Sequence, residues 1–520
     1  MAKVIIEPWT PAHRSLCWRL ADAYFACRGI DAWTKGEIPH DATDNYGMAR
    51  QHARFLAEHA AATASALAEV WVLEVGSGLG QFAANLVRAL EVDTGDAGRA
   101  LAPRLKIVLT DYATKTVEQA AESPNLAPLV ARGTVIPALF DMRHPARLVD
   151  LAGAPLSPPP LTAVYANYVC CVLPPRNLQR RNDRWFEQLV QLSAEVDGEG
   201  PAADARELLS DPTRDSLLEE LTLLWGWRPV EPAAALPSGI HTEVLEATAE
   251  ALPEATISYP ASFIDFLVAF APRLSPSGVF IISDYGRVER GMLAGLTDRK
   301  PQIYGNSLAF EVHFPVFDAF ADAAGWSILR TDDRNRSLHT ALLRAGGAFQ
   351  ADDVARFDDS YRHAHQGEDL VDFYDIAMRA ADDEEFDRAV RFYRRCVRLD
   401  PGSAHYRYKL ADALADSGDH ARALAEAMRS RELPGAKDHD FDFLLGRIHA
   451  LRDDYGAATA WYERSLQLEE HQVTLTNLGT LYEHDRRWGD ARAAYRRALE
   501  LQPDYQRAID NLASLGEDAP

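Results

Sequence analysis

Apolar residues recur at helical spacing in SLCWRLADAYFA, from Ser15, and in MARQHARFLAEHAAATASALA, from Met48. The spacing predicts an N-terminal helical region over residues 1–68. From Val70 the texture changes to short apolar runs ending in Gly or Asp: VWVLEVGSGLG, KIVLTDY, GTVIPALFD, LTAVYANYV and SGVFIISDYG. Helix-like segments such as QFAANLVRALEV and TKTVEQAAE lie between them. This alternation predicts a doubly wound α/β sheet over residues 69–345. Between Pro174 and Pro260 runs a stretch rich in charge, Leu and Trp (RWFEQLVQLSAEV, DSLLEELTLLWGW), too long for a simple connection. It is expected to be a helical insertion at about 175–260 covering the sheet's ligand edge. A polar stretch, 346–369, reads as a linker.

Beyond residue 370 the chain repeats itself. Ala389, Ala423, Ala457 and Ala491 stand 34 residues apart, each followed four residues later by Tyr393, Ala427, Trp461 or Tyr495. Pro401 and Pro503 close the first and last units. Ala411 and Gly479 hold the small position twelve residues before the alanine, where two helices must approach closely. This register resembles the tetratricopeptide repeat, which implies an all-α solenoid of four repeats and a capping helix, QRAIDNLASL, over residues 370–517. First helices then line a groove, and counting from Leu370 puts His405, Tyr408, His439, Asp442, His449, Thr476 and His484 facing inward. Such a groove, with hydrogen-bonding and aromatic groups and few fixed charges, suits a polypeptide. The row Arg388, Arg391, Arg395 and Arg398 lies on one face of a second helix and reads as a solvated outer face, or else a dock for an acidic partner. Self-association into a homo-oligomer is the other use of such repeats.

A chain of 520 residues exceeds what one core supports, and 47% apolar with 25% charged residues is ordinary for folded domains. With 54 Lys and Arg against 77 Asp and Glu, the net charge is −23. That charge repels phosphate backbones and puts polypeptide ahead of nucleic acid as a partner. Cys17, Cys27, Cys170, Cys171 and Cys396 form no zinc-type pair and no disulfide framework, so a reducing compartment is expected. MAKVIIEPWTPAHRSL has no apolar signal core, and no run of about 18 apolar residues occurs. The expected location is cytoplasmic, away from membranes.

The candidate chemistry sits at the strand ends. Glu74-Val75-Gly76-Ser77-Gly78-Leu79-Gly80 follows an apolar strand and precedes an amphipathic helix, so its glycines can bring the backbone close to a ligand. A glycine-rich loop alone also suits a nicotinamide oxidoreductase. The acidic residue in E-x-G-x-G-x-G favours S-adenosylmethionine, which carries an ammonium and a sulfonium. Asp111, followed by Tyr112, ends the next strand and can accept from ribose hydroxyls. Asp141, followed by Met142, ends the third and can accept from the adenine amine. Three acids at three successive strand ends place one cofactor across the sheet's carboxyl edge.

Residues 71–314 resemble the MidA-like methyltransferases, the family of the mitochondrial arginine methyltransferase that assists complex I assembly. LEVGSGLG matches the first family motif, ANYVCCVLP a motif normally reading G-N-E-x-x-D-A-x-P, and Asp284-Tyr285-Gly286 its D-Y-G; SLAFEVHF stands for a D-I-T-x-H-V-D-F type segment. The resemblance implies a class I fold, S-adenosylmethionine as cofactor and methyl transfer. It also marks departures. Tyr168 replaces the motif's Glu and Cys171 its Asp, while Ser307, Glu311 and His313 stand where the family has Asp, His and Asp. Those lost carboxylates would orient a guanidinium, so arginine is not the expected acceptor. Asn167 and Tyr168 are expected beside the methyl group, Asp284 and Tyr285 near the acceptor entrance, and Glu311 with His313 on one side of a strand as an acceptor-facing pair. The leading expectation is methylation of a protein or peptide recruited by the repeats. A degenerate scaffold that only binds cofactor or partners, and a small-molecule methyltransferase, are the alternatives.

Overall fold

The computed structural model describes residues 2–30, 46–196, 217–289, 300–332, 338–362 and 370–515, except 238, 253–254, 305, 401, 434–435 and 437–438, and also the isolated positions Ala32 and Leu293. Two units divide the chain, residues 1–366 and 367–520. Parts of the expected insertion, residues 363–369 and the end of the capping segment lie outside the described residues; the expectation of a linker from 346 is corrected, because Ala351–Phe357 is a helix and Phe357 and Tyr361 are buried in the first unit's core with Phe55.

The first unit opens with a strand, β1 (Ala2–Pro11), followed by helices α1 (Leu16–Arg28) and α2 (Tyr46–Thr63). The expectation of helix from residue 1 is corrected here. Val4, Ile5 and Ile6 favour extended backbone, and a partner strand supplies the missing hydrogen bonds. Strands β2 (Val70–Val75), β3 (Leu105–Asp111), β4 (Val135–Phe140), β5 (Leu148–Asp150) and β6 (Leu161–Asn167) follow, with helix α3 (Gln81–Val92) between the first two.

The insertion then holds β7 (Arg176–Arg181), β8 (Arg184–Val196), β9 (Thr222–Pro229) and β10 (Thr256–Tyr259), which with β1 make an antiparallel sheet in the order β1-β8-β7-β10, β9 pairing with β8. The expected helical insertion is therefore largely β in its described part, although His241–Ala251 is helical. RWFEQLVQLSAEV fits either period, and pairing on both edges of β8 decides for strand. The overlooked signal is Asn182-Asp183, both in the left-handed region at φ 47° and 59°, which turns the β7–β8 hairpin.

The remaining strands are β11 (Leu274–Arg287), β12 (Gln302–Tyr304), β13 (Ser307–Ala309), β14 (Val312–His313), β15 (Ser327–Arg330) and β16 (Leu338–Arg344). The central sheet runs β15-β16-β11-β6-β2-β3-β4-β5, with β14 beside the end of β11. Strands β11, β6, β2, β3 and β4 are mutually parallel. Apolar layers cover both faces, as buried parallel strands require. Val164, Phe280 and Ile282 meet Phe263, Phe266 and Phe317 on one side. Val72, Ile107 and Ile281 meet Phe55, Phe82 and Leu86 on the other. Because β2 is flanked by β3 and β6, the chain reverses its winding at β2, and a crevice opens at the carboxyl ends of these strands.

The described residues of the second unit form four helix pairs: Leu370–Asp382 with Phe386–Leu399, Ala404–Asp416 with His420–Ser430, Phe441–Leu451 with Tyr455–Leu468, and Gln472–His484 with Trp488–Leu501. Gln506–Ser514 packs against the last pair. Within each pair the turn contains one left-handed residue, Glu384, Gly418, Asp453 and Arg486 in order, spaced by 34, 35 and 33 residues. The third repeat is thus shifted by one. There the small position is Gly446, where a Cβ would come within 2.6 Å of the Tyr462 ring, as one at Gly479 would come within 2.5 Å of Tyr495.

Candidate cofactor and acceptor site

The loop from Gly76 to Gly80 leaves β2 in a path that side chains resist. Gly76, Gly78 and Gly80 have φ of 66°, 50° and 69°, and a Cβ on Gly80 would come within 2.2 Å of Leu126. The loop is pinned to β3, since Ser77 N donates to the Thr110 carbonyl at 2.8 Å and the Thr110 hydroxyl donates to the Glu74 carbonyl at 2.6 Å.

A cleft opens over this loop. Glu74, Gly76, Ser77, Gly78, Asp111, Tyr112, Asp141 and Met142 line it from β2, β3, β4 and the turns after them, and Asn167 and Tyr168 line it from the end of β6. Val172, Leu173, Ser307 and Leu308 form a less polar part of the wall. Among the described residues Gly80, Asp284, Tyr285, Glu311 and His313 are not in the lining. Gly80 acts from behind, by shaping the loop.

Asp111 is buried, its Oδ1 accepting from Ala113 N at 3.1 Å and its Oδ2 from Gly78 N at 3.4 Å. Burial pushes its carboxyl up to about 6, because three backbone N–H groups only partly replace lost solvent. Asp141, expected to accept from the adenine amine, lines the cleft and is held by a neighbouring guanidinium. Its Oδ1 and Oδ2 accept from Arg143 Nε at 2.9 and 3.1 Å. The same guanidinium donates to Asp22 of α1 at 2.6 Å and stacks on the Tyr112 ring at 5.4 Å. Helix α1 therefore closes one side of the cleft, with Trp18, Ala21, Asp22 and Phe25 in its wall. Neither Arg143 nor α1 was legible as site machinery in the sequence. The basic residue directly following the Asp141-Met142 pair was the available signal.

Tyr168 has φ of 54°, a conformation costing a non-glycine residue on the order of 1 kcal/mol. It is held there by Tyr168 N donating to the Ser283 carbonyl at 2.9 Å. Asp284 sits behind that turn, fully buried, with Oδ2 accepting from Cys170 N and Cys171 N at 2.9 and 3.1 Å. Burial raises its carboxyl to about 6 and both thiols well above their ordinary range. Asp284 thus shapes the turn. The D-Y-G glycine has its own reason: a Cβ at Gly286 would come within 2.1 Å of the Val312 carbonyl where β14 pairs with β11.

The expected acceptor-facing pair is not formed. The Glu311 carboxylate is paired with Arg287 at 2.8 Å, and His313, 1% exposed, accepts at Nδ1 from Ser258 N at 3.3 Å. Packing of β14 against β11 and β10 turns that ring into the core.

The residues fit an S-adenosylmethionine-type ligand. Glu74 and Asp111 supply carboxylates at adjacent strand ends. Among the described residues the Ser77 hydroxyl and both amide atoms of Asn167 are buried without a partner, and a ligand in the cleft would relieve that cost.

Fold and site together define a class I methyltransferase domain, and the second unit a tetratricopeptide array. Residues 52–308 match the family described as "Putative S-adenosyl-L-methionine-dependent methyltransferase", and residues 374–437 and 473–505 match tetratricopeptide repeat families. The chain carries a domain of that methyltransferase family followed by tetratricopeptide repeats, and is an S-adenosylmethionine-dependent enzyme by that membership. No curated protein matches it. Similar solved structures include a COG1565 superfamily member from Burkholderia thailandensis bound to S-adenosyl-homocysteine, 16% identical, TM-score 0.42, covering 68% of this chain and 92% of that one. MamA from Desulfovibrio magneticus RS-1 is 18% identical, TM-score 0.26, covering 29% and 84%. YrrB, a TPR protein with an unusual peptide-binding site, is 18% identical, TM-score 0.25, covering 31% and 81%.

In the repeat unit the structure brings His405, Tyr408 and His439 together: Tyr408 and His439 stack at 5.2 Å and the two histidine rings lie 5.1 Å apart. Asp442 and Thr476 do not join them. Asp442 is 7% exposed and paired with Arg431 and Arg464, the extra residue of the third repeat having shifted its register. Thr476 is fully buried, its hydroxyl bonded to the Gln472 carbonyl. His449 pairs with Asp454 and His484 packs on Tyr455. Among the described residues no helix is long and apolar enough to cross a membrane.

Proposed function

We propose that the enzyme methylates a polypeptide held by its repeats. The supporting observation is the ring cluster of Tyr374, His405, Tyr408, His439 and Phe441, in which His405 Nε2 lies 2.9 Å from the Tyr374 hydroxyl. It is a preformed aromatic and hydrogen-bonding surface of the kind an extended chain can dock on at low entropic cost.

S-adenosylmethionine, when bound, supplies an electrophilic methyl group. Glu74, Ser77 and Asp111 are assigned to holding it, and Arg143 to fixing Asp141 and α1 over its side of the cleft. Asn167 and Tyr168 orient the acceptor, the amide through its open donor and acceptor and the ring by walling the approach. Among the described residues, Ser307 and Leu308 line the cleft from the segment where the family carries Asp, His and Asp, and neither supplies a carboxylate for a guanidinium. That loss disfavours arginine as the acceptor. A scaffold reading draws on the same loss of carboxylates and on the Glu311–Arg287 pair.

The test is transfer of labelled methyl from S-adenosylmethionine to polypeptides of a cell lysate. The full chain should label discrete polypeptides, and Tyr408→Ala with His439→Ala should raise the KM for them while leaving cofactor affinity unchanged. Cofactor binding without any labelling would favour the scaffold, and labelling unaffected by the double substitution would refute recruitment.

A further inference from the structure

The helix Phe386–Leu399 carries Arg391, Arg394, Arg395 and Arg398 at spacings that put them on one face. Like charges so placed repel, and carboxylates of the same unit normally offset them. Elsewhere in the repeats they do: Arg447 pairs with Asp412 and Asp416, Arg431 and Arg464 with Asp442, and Arg497 with Glu470 and Glu500. Among the described residues Arg391, Arg394 and Arg398 make no ion pair or hydrogen bond, although all three are exposed. Arg395 is fixed by stacking on Phe373 and Phe392 at 4.9 and 5.0 Å.

These four side chains edge a groove of about 880 Å³ between Phe386–Leu399 and His420–Ser430, floored by Leu410 and Leu414. The carboxylates on its far side are already engaged, Asp419 by Arg422 and Glu426 by Arg407. Among the described residues Asp387 is the remaining carboxylate of the lining, which leaves the groove with a cationic excess in a chain of net charge −23.

We propose that this groove docks an acidic segment of a partner polypeptide. Arginines three and four residues apart on a helix stand about 5–6 Å from one another, and carboxylates at alternate positions of an extended chain stand about 6.6 Å apart, so successive side chains can meet successive guanidinium groups. The interleaved Asp387, Asp419 and Glu426 oppose a continuous phosphate backbone. The surface is separate from the ring cluster, because Tyr408 lies about 160° around its helix from Leu410. The inference is independent of the proposed recruitment of substrate.

Fluorescence anisotropy tests it, using the full chain and a short fluorescein-labelled peptide of alternating Glu and Ser. Binding should weaken with salt. It should fall about tenfold or more in Arg391→Gln/Arg394→Gln/Arg398→Gln, with Tm and affinity for S-adenosylhomocysteine unchanged. Reversing the three to Glu should abolish it and confer binding of a Lys-Ser peptide. No binding of the Glu peptide, equal binding by the Gln variant, or equal affinity for an oligothymidylate would overturn the proposal.

Discussion

Asp111 faces opposite demands from folding and from the cofactor, and Asp111→Asn separates them. Burial raises its carboxyl from 3.8 to about 6, so it holds its proton more tightly in the fold than in the unfolded chain. Its contribution to stability is then fully present below about pH 4 and lost as pH rises through about 6. A rise from 3.8 to about 6 corresponds to about 3 kcal/mol at neutral pH. Asparagine removes that cost and keeps the bond from Ala113 N, but loses the 3.4 Å acceptor for Gly78 N, worth about 1 kcal/mol. The ligand-free variant should therefore be more stable than the parent at pH 7.5 by about 1–2 kcal/mol, a rise of a few degrees in Tm. Near pH 4.5, where the parent carboxyl is already protonated, the gain should vanish. Binding should respond the other way. If ribose hydroxyls donate to the ionised carboxylate, parent affinity for S-adenosylhomocysteine should drop about tenfold from pH 7.5 to pH 5, and the variant should bind weakly with little pH dependence. Calorimetric titration and thermal melts at both pH values measure this. A variant less stable than the parent at pH 7.5, or one that binds S-adenosylhomocysteine as the parent does, would refute the argument.

Arg143→Ala should weaken S-adenosylhomocysteine binding several-fold, since it frees α1 from Asp141 and Asp22; titration alongside limited proteolysis within residues 16–28 would read both effects. Gly80→Ala should destabilise the first unit by about 1–3 kcal/mol through positive φ and the Leu126 contact, seen as a lowered urea midpoint. Glu311→Gln should cost stability through Arg287 while leaving cofactor affinity intact, so a loss of binding would return Glu311 to the cleft.

The sequence by itself determined what depends on local chemistry and period. The three glycines of 76–80 declared a loop that only glycine can follow, the acids at 74, 111 and 141 declared the strand ends, and the alanine register declared the paired helices. What it left open depends on partners distant in the chain. RWFEQLVQLSAEV and residues 2–11 are helical or extended according to whether an edge is offered to them, and they offer it to each other. Glu311 and His313 alternate correctly in sequence, but only Arg287 and the packing of β14 decided that neither reaches the cleft. Arg143 and Asp22, 121 residues apart, became one contact because the sheet carries the β4 turn to α1. A side chain's type and neighbours fix its chemistry, but the burial and long-range pairing that direct it arise only when the chain closes on itself.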